Sequence, residues 1–145
     1  SYRDFDTYMK SFERFRTLVE EWIGDGDIKI AVENTDGFRD YEKKAIEYMI
    51  KSPCFCMTWD IGHSKAVAEK DVPFIMENVS HLRHFHIHDG RENSPQNHLA
   101  LGDGEIDLRE RLSLAEERNA RCVLETKTIE ALRKSVAWLK ERGRM

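Results

Sequence analysis

Apolar residues recur at three- and four-residue spacings along the first part of the chain, in residues 4–23. Phe5, Tyr8, Phe12, Phe15 and Val19 mark this apolar stripe, and charged residues fill the positions between them. Such spacing is typical of an amphipathic helix with one buried face. The pattern stops at Gly24 and Gly26, where we expect the helix to end.

Beyond this helix, short apolar runs alternate with helical patterns. The runs that predict strands lie at residues 28–34, 54–60, 82–88 and 121–126. The patterns that predict helices lie at residues 40–51, 65–78, 107–118 and 129–142. Asp107, Ser64 and Thr128 occupy expected N-cap positions, and Gly143 is the expected stop of the last helix. One helix followed by four βα units predicts a parallel sheet.

Side chains alternate between the two faces of each predicted strand. One face carries large apolar residues, as in "FCMTWD" and "HFHI", and is suited to packing against helices. The other face is smaller or more polar, and at the C-terminal strand ends it carries Glu33, Asp60, His86 with His88, and Glu125. A sheet with one polar face favours the interior of a barrel. The fold predicted is therefore α/β, of the (β/α) TIM-barrel type, a half barrel of four βα units preceded by one helix within a single domain, residues 1–145.

Composition narrows the class of protein. The 145 residues are 40% hydrophobic and 34% charged, which fits one globular domain. We expect a cytoplasmic protein without membrane contact, because the sequence has neither an apolar run of about 18 residues nor a signal-peptide pattern. The net charge of −4 disfavours nucleic acid as a partner. Cys54, Cys56 and Cys122 lack metal-site spacing, so we expect buried, reduced thiols.

The residues at the strand ends suggest a metal. Two glutamates, an aspartate and an imidazole form a mixed oxygen and nitrogen ligand set that suits Mn²⁺, Zn²⁺, Mg²⁺ or Co²⁺. Crowded carboxylates repel each other unless a cation or a proton lies among them. For each residue alone, a solvated strand end or an ion pair is the simpler interpretation.

Histidines are concentrated in "HFHIHDG", residues 84–90. His86 and His88 are both candidates for the imidazole at the strand end, while His84 lies deeper in the strand and is an expected interior residue. His63, three residues after Asp60, is expected near the same rim. The segment "NHLALGDGEID" at residues 97–107 adds His98 and a Gly-Asp-Gly turn, which predicts either a tight loop or backbone N–H groups that hold a phosphate.

Several of these segments together resemble the xylose isomerase-like barrel superfamily. They are "VEN", "WDIGH", "HFHIHDG", "HLALGDGEID" and "VLET", and they cover about residues 28–142 in the expected order. That superfamily contains sugar-phosphate isomerases and epimerases together with the endonuclease IV class of apurinic endonucleases. The resemblance implies that the chain is the C-terminal half of an eight-unit barrel, since a full barrel takes about 250 residues.

The resemblance also implies roles for single residues. Glu33, Asp60, His86 and Glu125 match the metal ligands, and Glu33 and Glu125 match the pair that moves the substrate proton in the epimerase and ketose isomerase branches. His63 matches a substrate-contacting position, and His98 matches a zinc ligand of the endonuclease branch. With His86 as the expected ligand, His88 and Asp89 are expected to support the site or to face the substrate. Gln96 departs from that branch, which has an aspartate at this position.

Three functions follow as hypotheses. The first is a metal-dependent isomerase or epimerase of a small sugar or sugar phosphate, which works by proton transfer through a metal-stabilised enediolate; a hydride shift would use similar geometry. The second is an endonuclease IV-like zinc phosphodiesterase that acts on abasic DNA. The third is a non-catalytic half barrel. Either a second copy or a missing N-terminal half would cover the open half of the barrel.

Overall fold

The computed structural model describes residues 4–145, which begin with the predicted amphipathic helix. This helix, α1, spans Phe5–Ile23, and the side chain of Asp4 caps its start by accepting hydrogen bonds from the N–H groups of Asp6 and Thr7. It ends at Gly24, whose φ of 53° needs a residue without a side chain. The buried stripe of α1 packs Val19 against Met49, Cys54 and Phe55, so α1 lies on the helical side of the sheet.

Four parallel strands form one sheet in the order β1-β2-β3-β4. The strands are β1 (Ile30–Glu33), β2 (Phe55–Asp60), β3 (Leu82–Ile87) and β4 (Arg121–Leu124). Glu33 pairs with Thr58, Asp60 with His86, and Ile87 with Leu124, so the C-terminal strand ends lie side by side. The predicted helix followed by four βα units is confirmed. The first strand is shorter than predicted, since Ile28 is exposed and precedes the paired residues.

The connecting helices are α2 (Asp40–Met49), α3 (Ile61–Ala66), α4 (Val72–Glu77), α5 (Leu108–Glu117) and α6 (Ile129–Glu141), with a 3₁₀ turn at Val79–His81. The predicted caps of the last two helices are confirmed, because Asp107 accepts from Glu110 N–H and Thr128 from Ala131 N–H. Gly143, with φ 63°, follows the end of α6 as predicted.

The predicted single helix over residues 65–78 is wrong. Two short helices, α3 and α4, replace it, and the chain turns between them through the left-handed residues Ala68 and Glu69, with φ values of 54° and 57°. Ser64 lies inside α3 and is not an N-cap. Asp60 caps α3 instead, by accepting the N–H of His63, so strand β2 passes into the helix without a loop.

The two faces of the sheet differ as the alternation predicts. Met57, Trp59, Phe85 and Ile87 are buried beneath the helices and form the centre of the main core. The opposite, inner face is open within residues 4–145, and it lines a groove of about 600 Å³ floored by Ala31, Cys56, Thr58 and His84, among others. Hydrophobic burial therefore stabilises one side of the sheet only.

The three cysteines are free, but only two are buried. Cys54 and Cys56 are buried, the second at the floor of the inner groove, whereas Cys122 on the edge strand β4 is exposed, so its predicted burial is wrong. An edge strand lacks a neighbour on one side, and its side chains remain accessible there. None of the helices in residues 4–145 is long and apolar enough to cross a membrane.

Candidate metal centre

Side chains from the four strands surround the ring of His86 at the C-terminal edge of the sheet. Glu33 ends β1, Asp60 ends β2, His86 lies near the end of β3, and Glu125 follows β4. The Nδ1 atom of His86 lies 3.4 Å from Glu33 Oε1, 3.7 Å from Asp60 Oδ2 and 2.9 Å from Glu125 Oε2. The structure thus brings together the four residues that the family resemblance implies as ligands.

Two atoms of this cluster lack a hydrogen bond within the described residues. His86 Nδ1 and Glu125 Oε2 are both buried, and although they are 2.9 Å apart, their alignment does not meet hydrogen-bond geometry. Buried polar atoms are almost always satisfied, because burial without a partner costs about 1–3 kcal/mol. A cation between these atoms would satisfy both. Donor atoms of Glu33, Asp60 and His86 lie within 4.8 Å of one another, so these three residues fit a divalent metal, and Glu125 adjoins the group through its 2.9 Å approach to His86.

Asp60 is fully buried and is held by two hydrogen bonds. Its Oδ1 accepts from the N–H of His63 at 2.7 Å, and His88 Nε2 lies 2.9 Å and 3.1 Å from its two oxygens. Burial raises the pKa of Asp60, but the hydrogen bonds from His88 and His63 outweigh it and leave the pKa below its ordinary value. Asp60 is therefore a carboxylate, the form that binds a cation.

His88 supports Asp60 from beneath the site. It is fully buried, and its Nδ1 lies 2.8 Å from the backbone nitrogen of His98, which can only donate. The ring proton is consequently on Nε2 and points to Asp60. Both ring nitrogens are engaged, so His88 holds the Asp60 carboxylate in place, which is the supporting one of its two expected roles, while its contact with a substrate stays a prediction.

Gly62 makes this arrangement of His88 sterically feasible. A Cβ atom on Gly62 would overlap the His88 ring, with even the farthest of the three nearest ring atoms, Nε2, only 2.8 Å away. The glycine of "WDIGH" therefore gives the imidazole room to reach Asp60 across the first turn of α3.

His63 and His98 lie at the rim of the cluster. His63 Nδ1 is 3.2 Å from the carbonyl oxygen of Asn34 and 3.3 Å from Asp60 Oδ2. His98 Nε2 is 3.3 Å from Glu125 Oε1, and its ring stacks on His88 with centroids 4.2 Å apart. Burial lowers the pKa of His98, which favours the neutral ring. Both side chains are partly buried beside the acidic cluster, where a substrate contact remains a prediction.

The loop before α5 does not hold its N–H groups free for a phosphate. Asp89 is buried, and its carboxylate accepts hydrogen bonds from the N–H groups of Gly90, Gly102 and Ile106 at 2.9, 3.0 and 3.2 Å. The expected anion site is wrong for these groups, because the protein's own carboxylate fills it. Gly104 packs against this carboxylate, since its Cβ would lie 2.6 Å from Asp89 Cγ. The tight-loop alternative is the structure observed, and it carries His98 to the site.

A family model described as xylose isomerase-like TIM barrel matches residues 1–142. The chain belongs to this family. Membership in the xylose isomerase-like barrels agrees with the parallel sheet and its helices, and it confirms both the predicted fold class and the resemblance.

One solved structure of the same fold is the apo form of the 3-keto-D-glucoside 4-epimerase YcjR from E. coli. It aligns with a TM-score of 0.69 and 18% sequence identity over 97% of this chain. The chain spans 56% of the length of that protein. No significant match was found among curated protein sequences.

Beneath the cluster around His86 lies a buried polar group that the sequence did not reveal. Asn34, Ser64 and Asp71 are at most 1% exposed and bonded to one another behind the strand end that carries Asp60. Asn34 follows Glu33 directly in "VEN", and a polar residue after a buried strand is a signal that could have found it. Asp71 lies in a turn that no sequence motif marks, and no local pattern points to its burial.

Proposed function

We propose that this chain carries the metal and proton-transfer site of an isomerase or epimerase that acts on a small sugar or sugar phosphate. The observation that supports it most is the placement of Glu33, Asp60 and Glu125 around His86, where the buried atoms His86 Nδ1 and Glu125 Oε2 have no hydrogen-bond partner among residues 4–145. Membership in the xylose isomerase-like family agrees with this proposal, as does the name of the solved neighbour, a sugar epimerase.

The ligands proposed are Glu33, Asp60, His86 and Glu125, and Mn²⁺, Zn²⁺, Mg²⁺ or Co²⁺ suits such a set. When bound, the cation would supply Lewis-acid stabilisation of negative charge on neighbouring sugar oxygens. His88 holds Asp60 through its Nε2–H, and this contact keeps the carboxylate aimed at the cluster. Oriented ligands of this kind lower the cost of assembling the site around the ion.

Glu33 and Glu125 are the proposed proton carriers. They extend from the two outermost strands, β1 and β4, and both carboxylates reach His86 Nδ1, at 3.4 and 2.9 Å. A substrate carbon above the cluster would therefore have one carboxylate on each side. One glutamate, as a carboxylate, would remove the proton next to the carbonyl, and the other, as a carboxylic acid, would donate its own proton to the opposite face of the same carbon or to the neighbouring carbon.

Histidines at the rim are the proposed substrate contacts. His63 and His98 remain partly exposed, and their rings lie 5.5 Å apart between centroids, over the acidic cluster. Imidazole nitrogens at this position can bind sugar hydroxyl groups as donor or acceptor. Because His88 is fully buried, we assign it to support of Asp60.

Proton exchange with solvent tests this function. Incubation of ketoses with the protein and Mn²⁺ in D₂O should label the carbon next to the carbonyl, which NMR detects. Glu33→Gln and Glu125→Gln should each slow labelling by about 100-fold or more, the lower range of general acid–base catalysis. Glu130→Gln, at an exposed position in the first turn of α6, is the matched control and should have no effect. Labelling that persists in both site variants would overturn the proposed roles.

The open inner face would form one wall of a complete substrate pocket. The groove of about 600 Å³ extends from the ligands Glu33 and His86 along the uncovered side of the sheet. We propose that further strands beside β1 and β4, from a second copy or another segment, close the barrel. Light scattering of the purified chain distinguishes these: a dimer supports a second copy, and a monomer at high concentration argues against it.

A second candidate, zinc-dependent phosphodiester hydrolysis, is favoured by one observation. Asp60, His63, His88 and His98 place donor atoms within 4.8 Å of one another and form a second group with ligand chemistry. The use of both His88 nitrogens within the protein counts against a further ion there. Cleavage of an abasic oligonucleotide together with more than one zinc per chain would establish this alternative, and neither is expected.

A further inference from the structure

Asp71 is a buried carboxyl group that the proposed chemistry does not use. It lies in the turn before α4 and is only 1% exposed. Its Oδ2 accepts hydrogen bonds from Asn34 Nδ2 at 2.8 Å and from Ser64 Oγ at 3.0 Å, while its Oδ1 has no partner among the described residues. Such a group is costly to bury, so its presence needs a reason.

Asn34 connects Asp71 to the end of strand β2. The Oδ1 atom of Asn34 accepts the N–H of Asp60 at 2.8 Å, and Nδ2 donates to the carbonyl oxygen of Asp60 at 2.9 Å. One amide side chain thus binds both backbone groups of Asp60, as a neighbouring strand would. The backbone carbonyl of Asn34 in turn lies 3.2 Å from His63 Nδ1. The orientation of Asn34 therefore affects a proposed ligand and a proposed substrate contact together.

The number of available hydrogens shows what Asp71 contributes. Asn34 Nδ2 has two hydrogens, and when one binds Asp60 the other can bind Asp71. The hydroxyl of Ser64 accepts from Trp59 Nε1 at 2.8 Å, which leaves its own hydrogen for Asp71. Asp71 therefore accepts a hydrogen bond from both Asn34 and Ser64. Without it, Asn34 would keep only its contacts with Asp60 and Ser64.

The backbone is bent to place Asp71 there. Ala68 and Glu69 have φ values of 54° and 57°, a region that residues with side chains rarely adopt and that persists only where surrounding contacts fix it. Arg111 fixes this turn, since its guanidinium binds Glu69 at 3.2 Å and lies 4.6 Å from the centre of the Trp59 ring. The strain interrupts what the sequence pattern predicts as one continuous helix.

We propose that Asp71 is a positioning residue, which holds Asn34 and, through it, fixes the backbone of Asp60 and the ring of His63 in the metal centre. An ordinary interior polar group would affect stability alone. A positioning residue also affects the geometry of the site, although it touches neither metal nor substrate. The effect on metal affinity rests on the proposed function, whereas the effect on His63 does not.

Two substitutions of similar size distinguish a positioning role of Asp71 from a role in stability alone. Asp71→Asn keeps an acceptor oxygen for Asn34 and Ser64, whereas Asp71→Leu removes it. We expect Asp71→Leu to lower the affinity for Mn²⁺ by about 10- to 100-fold in calorimetric titration, the usual range for groups that orient ligands. Asp71→Asn should stay within about threefold of the unsubstituted protein. Val19→Ala, in the separate core beneath α1, serves as a control for lost stability alone and should not change affinity.

A second readout requires no metal. The ¹⁵N shifts of the His63 ring should change in Asp71→Leu and stay unchanged in Asp71→Asn and Val19→Ala.

If Asp71→Leu does not fold, Ser64→Ala removes one of the two donors to Asp71 and should give the same changes at smaller size. Failure of the unsubstituted protein to bind Mn²⁺ would overturn the proposed function, and the ring shifts would still decide the role of Asp71. Unchanged ring shifts with unchanged affinity in a folded Asp71→Leu, or in Ser64→Ala if that variant stands in for it, would overturn this inference.

Discussion

Substitution of Gly62 by alanine perturbs the support of Asp60 with a single methyl group. The new Cβ would lie no more than 2.8 Å from three atoms of the His88 ring, whereas uncharged heavy atoms normally stay about 3.5–4.0 Å apart. The nearest ring atom, Cε1, would lie only 1.9 Å from the new Cβ, so the ring has to move by about 1.5 Å or more. It is confined by its stack on His98 and by its hydrogen bond from the His98 N–H. We therefore expect the 2.9 Å hydrogen bond between His88 Nε2 and Asp60 to break.

The expected loss in the free energy of unfolding of Gly62→Ala follows from two costs. Overpacking in a fixed interior costs about 1–3 kcal/mol. Loss of a hydrogen bond to a charged group costs about 1.5–3 kcal/mol. Because movement of the ring relieves part of the overlap, we expect a net loss of about 3 kcal/mol in the free energy of unfolding. For a chain of this length that corresponds to roughly 6–12 °C in Tm.

Urea unfolding followed by circular dichroism measures this loss, with Gly90→Ala as the control. The Cβ of Gly90→Ala would meet nothing nearer than 3.5 Å, an ordinary contact, so its stability should change by less than about 1 kcal/mol. Helix propensity acts in the opposite direction at Gly62, since alanine favours a helix over glycine by up to about 1 kcal/mol. The sign of the change is therefore decisive. Equal or increased stability of Gly62→Ala would show that the His88 ring is not held as described.

Three further predictions concern the surroundings of the site. Asp89→Ala should destabilise the chain by about 3 kcal/mol or more in urea unfolding, because three buried N–H groups lose their acceptor, whereas a loss under 1 kcal/mol would contradict the role of Asp89 in the loop. Burial raises the pKa of Asp71 against the hydrogen bonds from Ser64 and Asn34, with a further contribution from the charge of Glu69. A carboxyl with a raised pKa favours folding below its unfolded pKa, near 4, and this contribution is lost as pH rises through the folded pKa. Asp71→Asn should therefore be more stable than the unsubstituted protein at pH 7 and lose that advantage near pH 4, which unfolding curves at the two pH values would check. Asp107→Ala removes the N-cap of α5 and should cost about 1 kcal/mol, with no change in the ring shifts of His63 if the effect is local.

Alternation along the strands selects Glu33, Asp60 and Glu125, and it leaves His86 and His88 as alternatives on the third strand, between which the family resemblance decides. Glu33, Asp60 and Glu125 stand at equivalent ends of apolar strands, and His86 belongs to the polar face of the third. Parallel neighbours bring equivalent ends together, so a period of two and the order of elements decide which side chains meet. This part of the site depends on the regular geometry of the sheet, which the sequence pattern encodes.

The supporting contacts depend on irregular backbone and could not be read in the same way. Asp71 reaches Asn34 only because Ala68 and Glu69 adopt left-handed conformations, and no glycine marks that turn. His88 alternates with His86 and looks equivalent in sequence, yet it is fully buried beneath His98. The predicted burial of Cys122 is wrong for a related reason, since an apolar run does not reveal that its strand lies at an open edge. Burial at these positions depends on tertiary neighbours.

The central claim is that Glu33, Asp60, His86 and Glu125 share one cation. Anomalous diffraction from crystals of the protein grown with Mn²⁺ tests it most directly. We expect one strong peak among Glu33 Oε1, Asp60 Oδ2, His86 Nδ1 and Glu125 Oε2, at roughly 2.0–2.3 Å from each coordinating atom, as is usual for ions of this class. A peak bound instead by His63 and His98, or ordered crystals with Mn²⁺ sites only elsewhere on the surface, would contradict the account.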